Sequence, residues 1–190
     1  MPDRMNLVSR LSLPFGWDAL DQAPAAKARA TAEWSNAGTM RFLLHEIDLG
    51  AAVRPAEERL VEALAPIHAR LEMIIEMLGR LSYRDIEVPP RRDLELSLAR
   101  IGWQSPEVLT IGGWLRFKLY FHPVFLEPVV LYGRVAFCGP ADARTGCCEV
   151  QADLDVMPPA TGEALVRLAF LTQRRQLGER PSLHSARTPP

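Results

Sequence analysis

The feature that most constrains this chain is a run of large aliphatic side chains spaced alternately four and three residues apart. They are Leu60, Leu64, Ile67, Leu71, Ile74, Leu78 and Leu81. This heptad pattern predicts a long α-helix with one apolar seam. A repeat of 3.5 residues per turn favours winding around other helices over packing on a single globule. We therefore predict a homo-oligomer; the alternative is that the seam packs against the chain's own fold.

The residue types along the seam indicate how many helices associate. Leucine occupies the a positions, and isoleucine occupies the central d positions, Ile67 and Ile74. This combination shifts the preference from dimers toward trimers and tetramers, so we expect a tetramer. Pro66 removes one backbone hydrogen bond and can kink the helix, so the regular coil is expected to begin near Ile67. A second apolar set on this helix is available for the chain's own fold: Val61, Met73, Ile75 and Met77.

Segments with strand periodicity flank the heptad region. Residues 5–13 predict a strand that Pro14 and Gly16 stop. Residues 22–49 are predicted to be helical, with a weak point at residues 35–38 that caps a second short helix. Between residues 94 and 154, apolar residues alternate with polar ones in four runs separated by Gly- and Pro-containing turns. These runs cover residues 94–98, 115–121, 129–137 and 148–154.

Together these segments predict an α+β protein, in which a small antiparallel β-barrel or sandwich is interrupted by long inserted helices. The barrel comprises residues 5–13 and 88–178, and the helical oligomerisation region comprises residues 22–84. A C-terminal helix at about residues 163–177 carries a broad apolar stripe, and the polar, Pro-containing residues 179–190 are predicted to be disordered. The stripe consists of Leu165, Val166, Leu168, Ala169 and Phe170.

Charge and composition argue against several classes of function. The chain has 22 lysines and arginines against 23 aspartates and glutamates, a formal net charge of -1, which gives no global field for nucleic acid or an anionic membrane. No apolar run approaches the roughly 18 residues of a membrane span. The cysteines Cys138, Cys147 and Cys148 are an odd count without a disulfide framework, which is typical of a reducing compartment. We expect a cytoplasmic protein.

The sequence offers few candidate catalytic or metal-binding residues. The histidines lack metal-ligand spacing, and no P-loop, dinucleotide or nucleophile-elbow motif is present. We expect no enzymatic activity, no metal and no cofactor. One strand face combines aromatic and basic side chains, which can stack bases and meet phosphates. We favour an ordinary outer barrel face and expect no nucleic-acid partner; the residues are Trp114, Arg116, Lys118 and Tyr120.

Several short segments occur in the order of a known domain. They are residues 95–102 (Glu-Leu-Ser-Leu-Ala-Arg-Ile-Gly), Gly112-Gly113, Phe117-Lys118-Leu119, Gly133-Arg134-Val135 and the helical residues 171–177. In this order they resemble the PilZ domain, a six-stranded barrel that commonly serves as a cyclic di-GMP receptor. That family carries an R-x-x-x-R element and a later D/N-x-S-x-x-G element.

The dinucleotide motif departs from the family pattern. Only Ser97 stands as the motif requires, because Glu95 replaces the Asp or Asn and Arg100 replaces the glycine that allows a ligand close to the backbone. The only R-x-x-x-R is formed by Arg80 and Arg84, at the end of the heptad helix. The chain therefore resembles the atypical, tetrameric PilZ subgroup, which has inserted helices and a degenerate cyclic di-GMP motif.

This resemblance implies a non-enzymatic scaffold in bacterial motility, pilus or virulence signalling. Such a scaffold contacts other signalling proteins and is not expected to bind cyclic di-GMP. The alternative is a cyclic di-GMP receptor with a rearranged, arginine-rich site. Its residues would be Arg91, Arg92, Ser97 and Arg100.

Overall fold

The computed structural model describes residues 8–51, 64–67, 69–71, 73–74, 77, 87–123, 125–142, 144 and 146–178. Within these residues, six antiparallel strands form a closed barrel in the order β1-β2-β3-β6-β5-β4. Two helices pack against the barrel and against each other. The elements are β1 (Ser9–Leu20), α1 (Ala26–Ala51), β2 (Arg91–Leu96), β3 (Arg100–Ser105), β4 (Trp114–Leu119), β5 (Val129–Cys138), β6 (Cys148–Leu154) and α2 (Pro159–Gly178). The α+β barrel prediction is confirmed.

Strand β1 closes the barrel by pairing with two different neighbours. Its residues 9–14 pair with β2, and its residues 15–20 pair with β4. The expectation that Pro14 and Gly16 stop this strand is wrong. Pro14 is the last residue paired with β2, so its missing N–H falls where the strand changes partner, and its carbonyl accepts from the Tyr120 N–H at 3.1 Å. Gly16 allows close packing, since a Cβ there would lie 3.3 Å from Pro89 Cβ.

The barrel interior is filled by alternate residues of each strand, as period-two patterning requires. Phe15, Trp103 and Phe117 form an aromatic cluster with ring centroids 5.6 to 6.0 Å apart. Burial of these large rings supplies much of the hydrophobic stabilisation of the barrel. The other buried strand residues include Leu11, Leu13, Leu94, Leu96, Ile101, Leu115, Leu119, Val129, Leu131, Val135, Val150 and Ala152.

Two features of the sheet depart from the predicted pattern. The period-two runs omit β3, because its inward-facing residues Ile101, Trp103 and Ser105 include only two apolar side chains. A bulge between Val135 and Phe137 shifts the alternation of β5. Phe137 is consequently 45% exposed, whereas the unbroken pattern places it in the core.

Helix α1 is continuous from Ala26 to Ala51, so the predicted break at residues 35–38 is wrong. The polar residue Asn36 has another role. It is buried, its Nδ2 donates to the Val130 carbonyl at 2.7 Å, and its Oδ1 accepts from the Val130 N–H at 2.8 Å. Asn36 thus fixes α1 on β5, and Met40 and Leu43 continue the contact into the core.

Helix α2 begins earlier than predicted, at Pro159, and buries Leu165, Leu168 and Ala169. Phe170 is 45% exposed, so the predicted stripe is narrower than expected. Gln176 fixes the end of the helix to β1: its Oε1 accepts from the Ser12 N–H at 3.1 Å, and its Nε2 donates to the Ser12 carbonyl at 2.8 Å. Residues 179–190 lie outside the described residues. Within the described part of the chain, no helix has the length and apolarity to cross a membrane.

Candidate functional site

The described positions of the heptad seam are helical and open to solvent in the single chain. Pro66 lies within the helical stretch 64–67, between two of these positions. The seam residues Leu60, Leu78 and Leu81 lie outside the described residues. The exposed fractions are 48% for Leu64, 55% for Ile67, 53% for Leu71 and 51% for Ile74.

The second apolar set of this helix is also exposed. Met73 is 62% exposed and Met77 is 57% exposed, so the expectation that this set serves the chain's own fold is wrong for these two residues. Val61 and Ile75 are not among the residues described. Contiguous exposed apolar surface of this kind is typical of an interaction site in soluble proteins.

Ser97 of the degenerate nucleotide motif lies in the tight turn between β2 and β3. Its N–H donates to the Arg100 carbonyl at 2.9 Å, and its Oγ accepts from the Arg100 N–H at 3.0 Å. The hydroxyl therefore holds the turn together. A ligand contact to this hydroxyl would compete with the hydrogen bond that shapes the turn.

The other two motif positions are held in cross-strand ion pairs. Glu95 Oε1 accepts from Arg10 Nε at 3.1 Å. Arg100 donates from Nε and Nη2 to Asp153 Oδ1, at 3.0 and 2.9 Å. Each pair is largely exposed and contributes about 0–1 kcal/mol to stability, so their effect is to orient the side chains. All three positions of the motif are engaged by the chain itself.

The arginines of the alternative site diverge. Because successive residues of a strand face opposite sides, Arg91 and Arg92 point away from each other. Arg91 donates to the Ser12 carbonyl at 2.7 Å on the outer side, whereas the Arg92 guanidinium lies 5.0 Å from the centre of the Trp17 ring. Ser97 follows Arg91 by six residues, roughly 20 Å along an extended strand. The structure does not bring Arg91, Arg92, Ser97 and Arg100 together, and Arg80 and Arg84 are outside the described residues.

The aromatic and basic face of β4 is occupied by contacts within the chain. Arg116 Nη2 and Lys118 Nζ lie 2.7 and 3.0 Å from Asp18 Oδ2. Burial raises the pKa of Asp18, but hydrogen bonds and charge from Lys118 and Arg116 outweigh this effect and hold the pKa below its usual value. The guanidinium groups of Arg29 and Arg134 lie 5.8 and 5.6 Å from the centre of the Trp114 ring. These contacts join the outer face of β4 to β1 and to α1.

The cysteines are free thiols. Cys148 is buried and donates to the Glu107 carbonyl at 3.1 Å. Burial raises the pKa of the Cys148 thiol, and a hydrogen bond with Cys138 raises it further. A thiol with a raised pKa is a poor nucleophile. Among the described residues, no group of three or more His, Cys, Asp or Glu side chains is placed to hold a metal ion.

Comparison with known proteins identifies the fold. No family profile matches the sequence, and no curated protein matches it. A crystal structure of a pathogenic protein from Xanthomonas campestris aligns over 91% of each chain with a TM-score of 0.70 and 22% identity. That protein is described as a tetrameric PilZ domain self-assembled through an unusual helical bundle. The chain has a PilZ-domain fold.

This PilZ fold confirms the resemblance drawn from the sequence, including its six-stranded barrel. The Bacillus subtilis inhibitor of motility MotI/DgrA aligns over 47% of this chain and 43% of its own, with 17% identity and a TM-score of 0.35. Sequence reasoning missed Asn36 and Gln176, which hold the two helices on the PilZ barrel, because a single polar residue in a helix carries no periodic signal.

Proposed function

We propose that this chain is a non-enzymatic PilZ-like scaffold that assembles through its heptad helix, preferentially as a tetramer. In this proposal it contacts other proteins in bacterial signalling, such as motility, pilus or virulence pathways, and does not bind cyclic di-GMP. The observation that carries the proposal is the exposure of the described seam residues in the single chain.

The exposed seam supports self-association for an energetic reason. Full burial of a leucine or isoleucine side chain contributes about 1.5–3 kcal/mol. Leu64, Ile67, Leu71 and Ile74 are each about half exposed, so a large part of this free energy is available only to a partner. A second copy presents the same seam in the same register, which makes the helix self-complementary. The similar Xanthomonas campestris protein is itself described as assembling through a helical bundle.

The geometry of the motif supports the absence of cyclic di-GMP binding. A receptor needs several donors converging on phosphate and guanine edges. Here Ser97 is bound to its own turn, and Arg100 is bound to Asp153 across the sheet. Arg91 lies at the other end of β2. Binding would have to break these contacts and move the side chains together.

Calorimetry tests this part of the proposal. We expect cyclic di-GMP titrated into high-micromolar protein to give only heat of dilution. Saturable heat would contradict the proposal and favour the receptor alternative. Repeating the titration with Ser97→Ala and with Arg91→Ala would then locate the site, because the two residues lie at opposite ends of β2.

Light scattering tests the assembly separately. We expect the wild-type chain to be a tetramer whether or not the dinucleotide is added. A tetramer that appears only with cyclic di-GMP would contradict the proposed scaffold, because assembly would then be driven by the ligand.

A further inference from the structure

A cavity lies between the two helices and the start of β2. It has a volume of about 330 Å³, within the range of small-molecule sites. Apolar side chains line it from α1, α2 and β1, and polar side chains join them at the edge. The described lining residues are Leu13, Pro14, Leu43, Ile47, Arg91, Tyr120, Phe121, His122, Pro123, Leu168, Leu171, Thr172, Arg175 and Gln176.

Hydrogen bonds between the walls hold this cavity open. The Ser12 carbonyl accepts from Gln176 Nε2 at 2.8 Å and from Arg91 Nη2 at 2.7 Å, so it joins α2 to the start of β2. In the loop after β4, the lining residue His122 accepts from the Phe125 N–H through Nδ1 at 3.0 Å, which fixes the conformation of that loop. The walls are therefore positioned before any ligand arrives, which lowers the entropic cost of binding.

The charged side chains described in the cavity lining are all positive. Arg91 and Arg175 are its cations, and none of the described lining residues is acidic. Among the described residues, neither arginine forms an ion pair with a carboxylate. The Tyr120 hydroxyl is uncharged at neutral pH, as for any tyrosine, and burial raises its pKa further. Fixed positive charge beside apolar walls favours a molecule with a negative end and an apolar body.

We propose that this cavity binds a small amphipathic organic anion. Its carboxylate, sulfonate or phosphate group contacts the guanidinium groups of Arg91 and Arg175. Its apolar body lies against Leu43, Ile47 and Leu168. None of the described lining residues belongs to the heptad seam, so the proposed site does not use the seam side chains.

Fluorescence titration with 1-anilinonaphthalene-8-sulfonate tests this site, because the probe has a sulfonate on an apolar ring system. We expect Arg91→Ala/Arg175→Ala to weaken probe binding by about tenfold or more, since two charge-assisted contacts are lost. Thr172→Phe keeps both charges and fills the cavity, and we expect a similar loss. Arg174→Ala is the matched control: it removes a neighbouring α2 charge outside the cavity, and we expect a change within about twofold.

Competition experiments distinguish the contribution of the ligand's anionic group from that of its apolar body. We expect decanoate to displace the probe, and uncharged decanol and inorganic phosphate each to displace it much less. Unchanged probe affinity in either the double-arginine variant or Thr172→Phe would overturn the proposal. Displacement by decanol as effective as by decanoate would also overturn it, because the arginines would then be irrelevant. If inorganic phosphate displaced the probe as effectively as decanoate, the apolar body of the ligand would contribute nothing to binding. That result would overturn the proposed class of ligand.

Discussion

Replacement of Leu71 and Ile74 by glutamate is expected to convert the assembly into monomers. The two residues are 53% and 51% exposed in the single chain, so each has about half of its surface available to a partner. Covering that half contributes about 0.8–1.5 kcal/mol per side chain. A tetramer contains eight of these side chains, so the substitution removes about 6–12 kcal/mol of hydrophobic stabilisation.

The introduced charges add to this loss. A carboxylate enclosed in an apolar seam without a partner costs several kcal/mol, unless it is protonated. Micromolar association corresponds to about 8 kcal/mol for each of the three steps that form a tetramer, or about 24 kcal/mol in all. Eight enclosed carboxylates at several kcal/mol each, added to the lost burial, exceed this total. The barrel core contains neither residue, so its thermal unfolding is expected to remain cooperative.

The assay is light scattering after size exclusion at micromolar concentration. The variant is expected to elute at 21.2 kDa, the mass of one chain. Ala65→Glu/Ala69→Glu is the matched control, because it adds the same charges at exposed helical positions off the seam. Its mass is expected to equal that of the wild type. A Leu71→Glu/Ile74→Glu variant that keeps the wild-type mass would refute the role of the seam, and so would an equal loss of mass in the control.

Three further predictions concern the fold and are measured by urea unfolding. Asn36→Ala leaves the N–H and carbonyl of Val130 without their partner and is expected to cost about 2–4 kcal/mol; a cost below about 0.5 kcal/mol would contradict its anchoring role. Gly133→Ala places a Cβ 2.5 Å from a backbone oxygen of β6 and is expected to destabilise by about 1–3 kcal/mol or more, whereas Gly38→Ala meets nothing within 4 Å and is expected to stabilise α1 by about 0.5–1 kcal/mol. Asp18→Asn is expected to cost about 1 kcal/mol or less at pH 7, because the pair is partly exposed. Since the folded-state pKa of Asp18 is lowered, this difference should shrink as pH falls below about 4; a difference that is constant with pH would contradict the assignment.

The periodicity of apolar residues predicted those strands in which the alternation of buried and exposed side chains continues over many residues. The runs around Leu94, Phe117 and Val150 alternate in the sequence and are buried in the barrel, because every second side chain of a strand faces the same side. Order of segments then predicted the PilZ fold, although the individual motif positions, such as Glu95 and Arg100, had diverged.

The sequence-based predictions were wrong where a tertiary contact outweighed a local sequence preference. Pro14 stops a strand in general, but here it lies where β1 changes partner. Residues 35–38 weaken an isolated helix, but Asn36 is bound by β5 and α1 continues. Phe137 leaves the core because of a bulge that no periodic pattern contains. The cavity could not be predicted either, since Arg91 and Arg175 are far apart in sequence and line one cavity only when α2 packs on β1.

The mass of the native wild-type particle tests the central claim most directly. Sedimentation equilibrium over a range of concentrations should give four copies of the 21.2 kDa chain, about 85 kDa. A particle of 21.2 kDa at every concentration would contradict the account, because the exposed leucine and isoleucine seam would then have no partner.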